Sequence, residues 1–308
     1  MDDQLAYLLN GLCARTYTLG RIMRFRRLQR GTQATTYELL TAGGREYTLA
    51  FWPARHSPLH ISTMFDLFEA LRSQQFPVPA PVRTTAGAWL ADGPQGETMG
   101  LWQNVSGQHL ALERWTGTMF SHLGLRLAWL HGLLAMMPLP LELQHQSLPQ
   151  RLDAALTTLR TRQDAPWLHD AAWDRLTGEL ADCEPWPRGW IHGGMGPAAL
   201  LWDDEQQVCC IVDALYHRGG HPLEDLLELT LTWQRLHHTL PETYNVLFEA
   251  YTSMAALPRW PWDQVVSRWL LSHVELAAAG RKDPAPTLAQ QLAQRHHLAE
   301  WIRDLSGL

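Results

Sequence analysis

The chain of 308 residues contains a single lysine, Lys282, near its end. Any cation needed in the N-terminal half must therefore be an arginine or a histidine. Cysteine is also sparse: Cys13, Cys183, Cys209 and Cys210 show no C-x-x-C spacing, which argues against a zinc ribbon or a dithiol redox centre. Cys209 and Cys210 fall on an expected strand, where neighbouring side chains point to opposite faces, so free thiols of a reducing compartment are expected. No apolar run reaches the roughly 18 residues of a membrane-spanning helix. The opening Met-Asp-Asp-Gln carries acid where an export signal carries basic residues, so a cytoplasmic protein with no membrane partner is expected. P-loop, G-x-G-x-x-G and G-x-S-x-G motifs are absent, as are repeats and low-complexity linkers. The net charge is −6 and the arginines read as scattered along the chain, so nucleic acid is not an expected partner.

What is present is ample material for a core: 46% of residues are hydrophobic and 15 are tryptophan, enough for one large domain or two lobes sharing a cleft. A leading helix is expected over 2–14. Aromatic and β-branched segments at 17–28, 35–41, 45–52, 82–91 and 97–104 read as five strands, with Ala42-Gly43-Gly44 as a hairpin turn. A helix is expected over 58–74, its apolar face made by Leu59, Met64, Leu67, Phe68 and Leu71. Phe76-Pro-Val-Pro-Ala-Pro81 must be extended, because proline fixes its own φ and restricts the residue before it. From 108 onward helical periodicity dominates, with helices expected at 116–134, 149–162, 168–182, 223–238, 241–256, 261–279 and 286–305.

Several motifs stand in a consistent order. Leu28-Gln-Arg-Gly31-Thr-Gln-Ala34-Thr-Thr-Tyr37 follows L-x-x-G-x-x-N-x-x-Y with Ala34 at the Asn position, and Gly107 follows the last N-terminal strand. Leu123-Gly-Leu-Arg-Leu-Ala-Trp-Leu-His131 follows L-G-x-x-L-A-x-L-H, and Asp225-Leu-Leu stands near D-L-A. Between them, His192-Gly193-Gly194 and Ala199 occupy the frame H-G-D-x-x-x-x-N, followed by a hairpin that ends in Ile211-Val212-Asp213. Together these resemble the aminoglycoside phosphotransferase, choline kinase and type II homoserine kinase superfamily over about 20 to 235. The resemblance implies an α+β, bilobal, protein-kinase-like fold. It implies an N-lobe over 1–104, built of an antiparallel sheet and one helix, and a mainly helical C-lobe over 105–308 carrying the loop 190–213.

An intact member of that family holds ATP and Mg²⁺ with a third-strand cation, a loop Asp, a loop Asn and a strand Asp. In this chain the resemblance puts Ala50 at the cation, Gly194 at the Asp and Ala199 at the Asn. Asp213 is retained at the metal-binding position, either to hold a cation there or as a relic of the fold bonded to neighbouring backbone, and His192 is retained as a loop brace. Arg55 lies beyond Pro53 and past the strand. Gly194 can neither accept a proton nor orient a hydroxyl, a loss on the order of 10²- to 10⁴-fold in rate. Ala199 offers no oxygen to a hard cation.

The resemblance thus implies a pseudokinase that holds a small molecule or a protein partner at the cleft between its lobes. The alternative is an active ATP-dependent phosphotransferase with its metal site rebuilt around Asp213. Asp225 reads as the family's structural Asp or as a helix-start acid, and Asp66 and Glu69 as solvated helix residues. Asp203 and Asp204 read as turn residues. His217, His221 and Glu224 have metal-like spacing, but Gly219, Gly220 and Pro222 break the helix such a site requires.

Overall fold

A computed structural model describes residues 2–28, 34–54, 56–139, 147–161, 172–183, 189–212, 218–237, 245–255 and 262–278. Arg55, Asp213, His217, the segment 168–171 and the expected helix over 286–305 lie outside the described residues. The chain divides into two compact units, Met1–Gly107 with Cys209–Leu215, and Gln108–Val208 with Tyr216–Leu308.

The first unit is an antiparallel sheet. Its strands are β1 (Ile22–Leu28), β2 (Thr35–Thr41), β3 (Glu46–Trp52), β4 (Ala80–Val82), β5 (Leu90–Asp92) and β6 (Thr98–Gln103), in the order β1-β2-β3-β6-β4 with β5 also on β6. Five strands were expected; the segment expected as one strand over 82–91 is two. A turn intervenes, in which Gly87 takes φ +83° and its N–H donates to the Thr84 carbonyl at 2.9 Å. β3 is central because it is apolar on both faces, being buried from Tyr47 to Trp52. Gly44, at φ +75°, closes the β2–β3 hairpin, a conformation that glycine adopts without steric cost.

Helix α1 (Asp2–Thr16) covers one face of the sheet, packing Leu9 and Cys13 with Leu39, Leu49, Phe51 and Leu101. Helix α2 (Pro58–Ser73) lies on the other face. Ser57 caps it by accepting from His60 N–H at 3.4 Å, and Pro58 supplies the preset first turn.

The second unit is mainly helical. It contains α3 (Gly117–Ala135), α4 (Leu148–Arg160), α5 (Ala172–Asp182), α6 (Pro222–His237), α7 (Asn245–Met254) and α8 (Trp262–Ala278). Thr116 caps α3, and Ser147 with Gln150 forms a reciprocal capping box on α4. Gly124 lets α7 approach α3: a Cβ there would run into the Leu247 carbonyl oxygen and stand 3.0 Å from Ala250 Cβ. Helix α8 is buried along Val265, Val266, Trp269, Leu270, Leu271 and Val274, and Arg151 of α4 forks onto Glu275 with both bonds at 2.7 Å. Two short strands, β7 (Gly189–Ile191) and β10 (Arg218–Gly220), pair antiparallel; β8 (Leu200–Trp202) also lies in this unit, and β9 (Val208–Ile211) belongs to the first unit from Cys209 on. Among the described residues no helix is long and apolar enough to cross a membrane.

Candidate functional site

The loop after β7 is held by its main chain. β7 pairs with β10 in the register Ile191↔Arg218, Trp190↔Gly219 and Gly189↔Gly220. It is pinned at Trp190, whose indole N–H donates to the Pro138 carbonyl at 3.0 Å. The chain then turns at Gly193, with φ +76°. It drops the fully buried Met195 into the core and makes a short 3₁₀ turn over Pro197–Ala199 before entering β8.

Asp225, in the first turn of α6, braces this loop. One carboxylate oxygen accepts from Gly193 N–H at 2.7 Å; the other accepts from His192 N–H at 2.8 Å and from His131 Nε2 at 3.1 Å. Asp225 is wholly buried. Burial alone pushes its pKa up, but the hydrogen bond and charge of His131, the charge of His192 and the Gly193 amide outweigh it, leaving the carboxyl below its ordinary value. On the far side of the imidazole, His131 Nδ1 lies 2.9 Å from the Tyr251 hydroxyl. Burial, then the nearby Asp225 charge, raise the Tyr251 pKa, so the phenol keeps its proton. The His131 ring is held between the Asp225 carboxylate at Nε2 and the Tyr251 hydroxyl at Nδ1. The loop is thus supported by residues of α6, α3 and α7.

Below it lies a second buried group. Glu224 accepts from His221 N–H at 2.8 Å and from the Ser272 hydroxyl at 3.1 Å, and stands 3.4 Å from Arg268 Nε. His221 Nδ1 accepts from Leu223 N–H at 3.3 Å. Burial, then the Arg268 charge, hold the His221 pKa down at about 4. His221 and Glu224 therefore cap a helix start, as the Gly-Gly-His-Pro sequence suggests.

The loop presents little chemistry of its own. Gly194 has no side chain, the Ala199 methyl is 2% exposed, and the Asp225 carboxylate has its acceptor capacity taken up by the loop and His131. His192 is buried, with its backbone in the brace. Asp203 lies in the β8–β9 turn, where its carboxylate accepts from Glu205 N–H at 3.0 Å and Gln207 N–H at 2.8 Å, and Asp204 is exposed. Among the described residues no group of three or more His, Cys, Asp or Glu could hold a metal ion.

In the first unit, Ala50 is fully buried on β3, opposite Thr36 of β2 and Gly100 of β6. It shares a sheet face with Trp52, which packs edge-on to Phe65 of α2 and against Trp102. A Cβ at Gly100 would stand 2.7 Å from Phe65 Cζ and 3.0 Å from Trp52 Cζ3, so aromatic rings fill this face. Asp66 and Glu69 are exposed, and Asp66 accepts from the Trp89 indole N–H at 2.6 Å. Sequence reasoning missed this aromatic cluster, Tyr251, and the Glu224–Arg268 pair. The recurrence of tryptophan at 52, 89 and 102 was the only signal available for the cluster.

The sequence profile of the phosphotransferase enzyme family matches residues 24–265. A homoserine kinase of Acidiphilium cryptum (strain JF-5) is 33% identical over 87 residues, which is 28% of this chain and 25% of that enzyme. The chain therefore matches about a quarter of that relative's length. Among solved structures, an amicoumacin kinase superposes with a TM-score of 0.70 at 13% identity, covering 96% of this chain and 93% of that one. A microcompartment-associated aminopropanol kinase gives a TM-score of 0.65 at 18% identity, covering 97% and 98%. At these identities the likeness is one of fold: kinase-like and α+β.

Proposed function

Because this chain belongs to the phosphotransferase enzyme family, we propose that it is a pseudokinase of that family, kept to bind a small molecule or a protein partner. One observation carries the reading. The loop frame is retained and braced from behind by Asp225, while the two positions that face chemistry in the family pattern are Gly194 and a buried Ala199. A second supports it: the third-strand cation position is Ala50, on a face filled by Trp52, Phe65 and Trp102.

Phosphoryl transfer asks the protein mainly for positioning and charge stabilisation. The residues at Gly194, Ala199 and Ala50 do not fit an ATP–magnesium pair, since none provides a charge or an oxygen ligand.

Thermal shift against ATP, with and without Mg²⁺, tests the reading. A ligand at 100 times Kd that binds only the folded state adds about 2.7 kcal/mol. No shift and no ATP consumption are expected. Consumption of ATP that disappears in Asp213→Ala would overturn the proposal in favour of a rebuilt active site.

A further inference from the structure

Residues 4–37 contain six arginines (Arg15, Arg21, Arg24, Arg26, Arg27 and Arg30) and no aspartate or glutamate. The whole chain has 25 basic and 31 acidic residues, so the remainder holds 19 and 31, a balance of −12. The charge is segregated, although the arginines read as scattered along the full sequence.

The fold gathers four of them at one place. Arg21 precedes β1, and Arg24, Arg26 and Arg27 lie on it; all four are exposed. Arg26 pairs with Glu38 of β2 at 2.7 Å. Among the described residues no acid pairs with Arg21, Arg24 or Arg27.

β1 is the end strand of the sheet, with β2 as its one strand partner among the described residues. Among the described residues its outer edge is closed at the start, where Asn10 accepts Ile22 N–H at 2.8 Å and donates to the Ile22 carbonyl at 3.4 Å. The register shifts between Ile22 and Arg24, leaving Met23 59% exposed. Beyond that irregularity, Arg24 to Leu28 offers an edge without a strand partner among the described residues.

An open edge invites another strand, and charge on it selects which strand can come. Side chains alternate along a strand, so Arg24 and Arg26 lie on one face and Arg27 on the other, beside Phe25, which packs on the α1 core. A membrane or a duplex is a surface that meets one face at a time. A segment laid along the edge meets both, and its carboxylates alternate as the arginines do.

We propose that β1 is a docking edge for an extended acidic segment of a partner protein, which adds to the sheet as its next strand and pairs with Arg24 and Arg27. The inference stands apart from the pseudokinase reading, since it uses no residue of the loop or of the Ala50 face.

The test uses the full chain and a short peptide of repeated Glu-Glu-Val-Thr, whose neighbouring carboxylates point to opposite faces of a strand, with a Lys-Lys-Val-Thr peptide as control. The acidic peptide is expected to bind, to lose affinity as salt screens the arginines, and to slow amide exchange along β1. R24E/R27E leaves the Arg26–Glu38 pair in place, and both residues are exposed, so its Tm should match the wild type. Its affinity should fall by about tenfold or more, as for removal of close charge pairs. Binding that is absent, leaves β1 exchange unchanged or is equal in R24E/R27E overturns the proposal. So does tighter binding of an oligonucleotide or a phosphatidylserine vesicle through the same arginines. If the arginines serve only to keep the edge from pairing, R24V/R27V will self-associate while the wild type ignores the acidic peptide, and the proposal again falls.

Discussion

Asp225→Ala offers the sharpest test of how the loop is held. The wild-type carboxylate is wholly buried and accepts from His192 N–H, Gly193 N–H and His131 Nε2. Truncation takes the acceptor from two buried donors and from the part-buried Gly193 N–H, at about 1–3 kcal/mol for each donor left buried. The three share one site and are not additive, so the expected loss is about 3–6 kcal/mol. For a unit of this size that lowers Tm by about 6 °C or more. Asp225→Asn keeps the shape and one acceptor but turns an NH₂ toward a donor, so it should fall between the two.

The pH dependence has a definite sign. Asp225 titrates below its ordinary value in the folded chain, so the unfolded chain takes up the proton first. Its contribution is present above the ordinary value of 3.8 and is lost as the pH falls from there to the depressed folded value. Thermal melts across the acid range should show a flatter acid limb in Asp225→Ala than in the wild type. A variant that melts within about 2 °C of wild type, with the same acid limb, would refute the bracing role.

Other perturbations have equally definite outcomes. Glu224→Ala takes a carboxylate away from Arg268, which is 2% exposed. It should cost about 3–5 kcal/mol in urea unfolding, and an apolar replacement of both partners should recover much of that. His221, neutral in the fold with its pKa near 4, takes up a proton first in the unfolded chain as the pH drops below 6.5. The wild type should thus lose up to roughly 3 kcal/mol between pH 6.5 and 4, and His221→Gln should lose less over that window. Gly124→Ala drives a methyl into the Leu247 carbonyl, so α3 and α7 must separate; a Tm unchanged from wild type would show that the close approach is absent. Ala50→Lys puts a larger, charged side chain on a fully buried face that Trp52 and Phe65 already crowd, and calorimetry should show a lower melting temperature.

Much of the fold was legible because its signals are local. Gly43-Gly44 marked a hairpin. The 3.6-residue period carried α2, α3 and α8. The missed division between β4 and β5 has a local cause too: Thr84 to Gly87 forms a tight turn inside a run whose β propensity is continuous on either side. The site was legible in frame but not in support. His192 and Gly193 fixed the loop register, and Asp225 was singled out. Yet the partners that complete the brace, His131 and Tyr251, lie 94 and 26 residues away from Asp225 in sequence, on helices whose faces periodicity alone does not pair. The aromatic filling beside Ala50 was hidden for the same reason, since Phe65, Trp89 and Trp102 converge only once the sheet and α2 are in place.

The brace behind the loop separates a conformation from a reactivity. Gly193 keeps its left-handed turn because a carboxylate from another helix grips the peptide, whatever side chain follows at 194. The path of the loop therefore rests on residues of three helices, and none of those bonds involves a side chain at 194. A substitution at 194 can therefore alter what the loop presents while leaving the grip that shapes it intact.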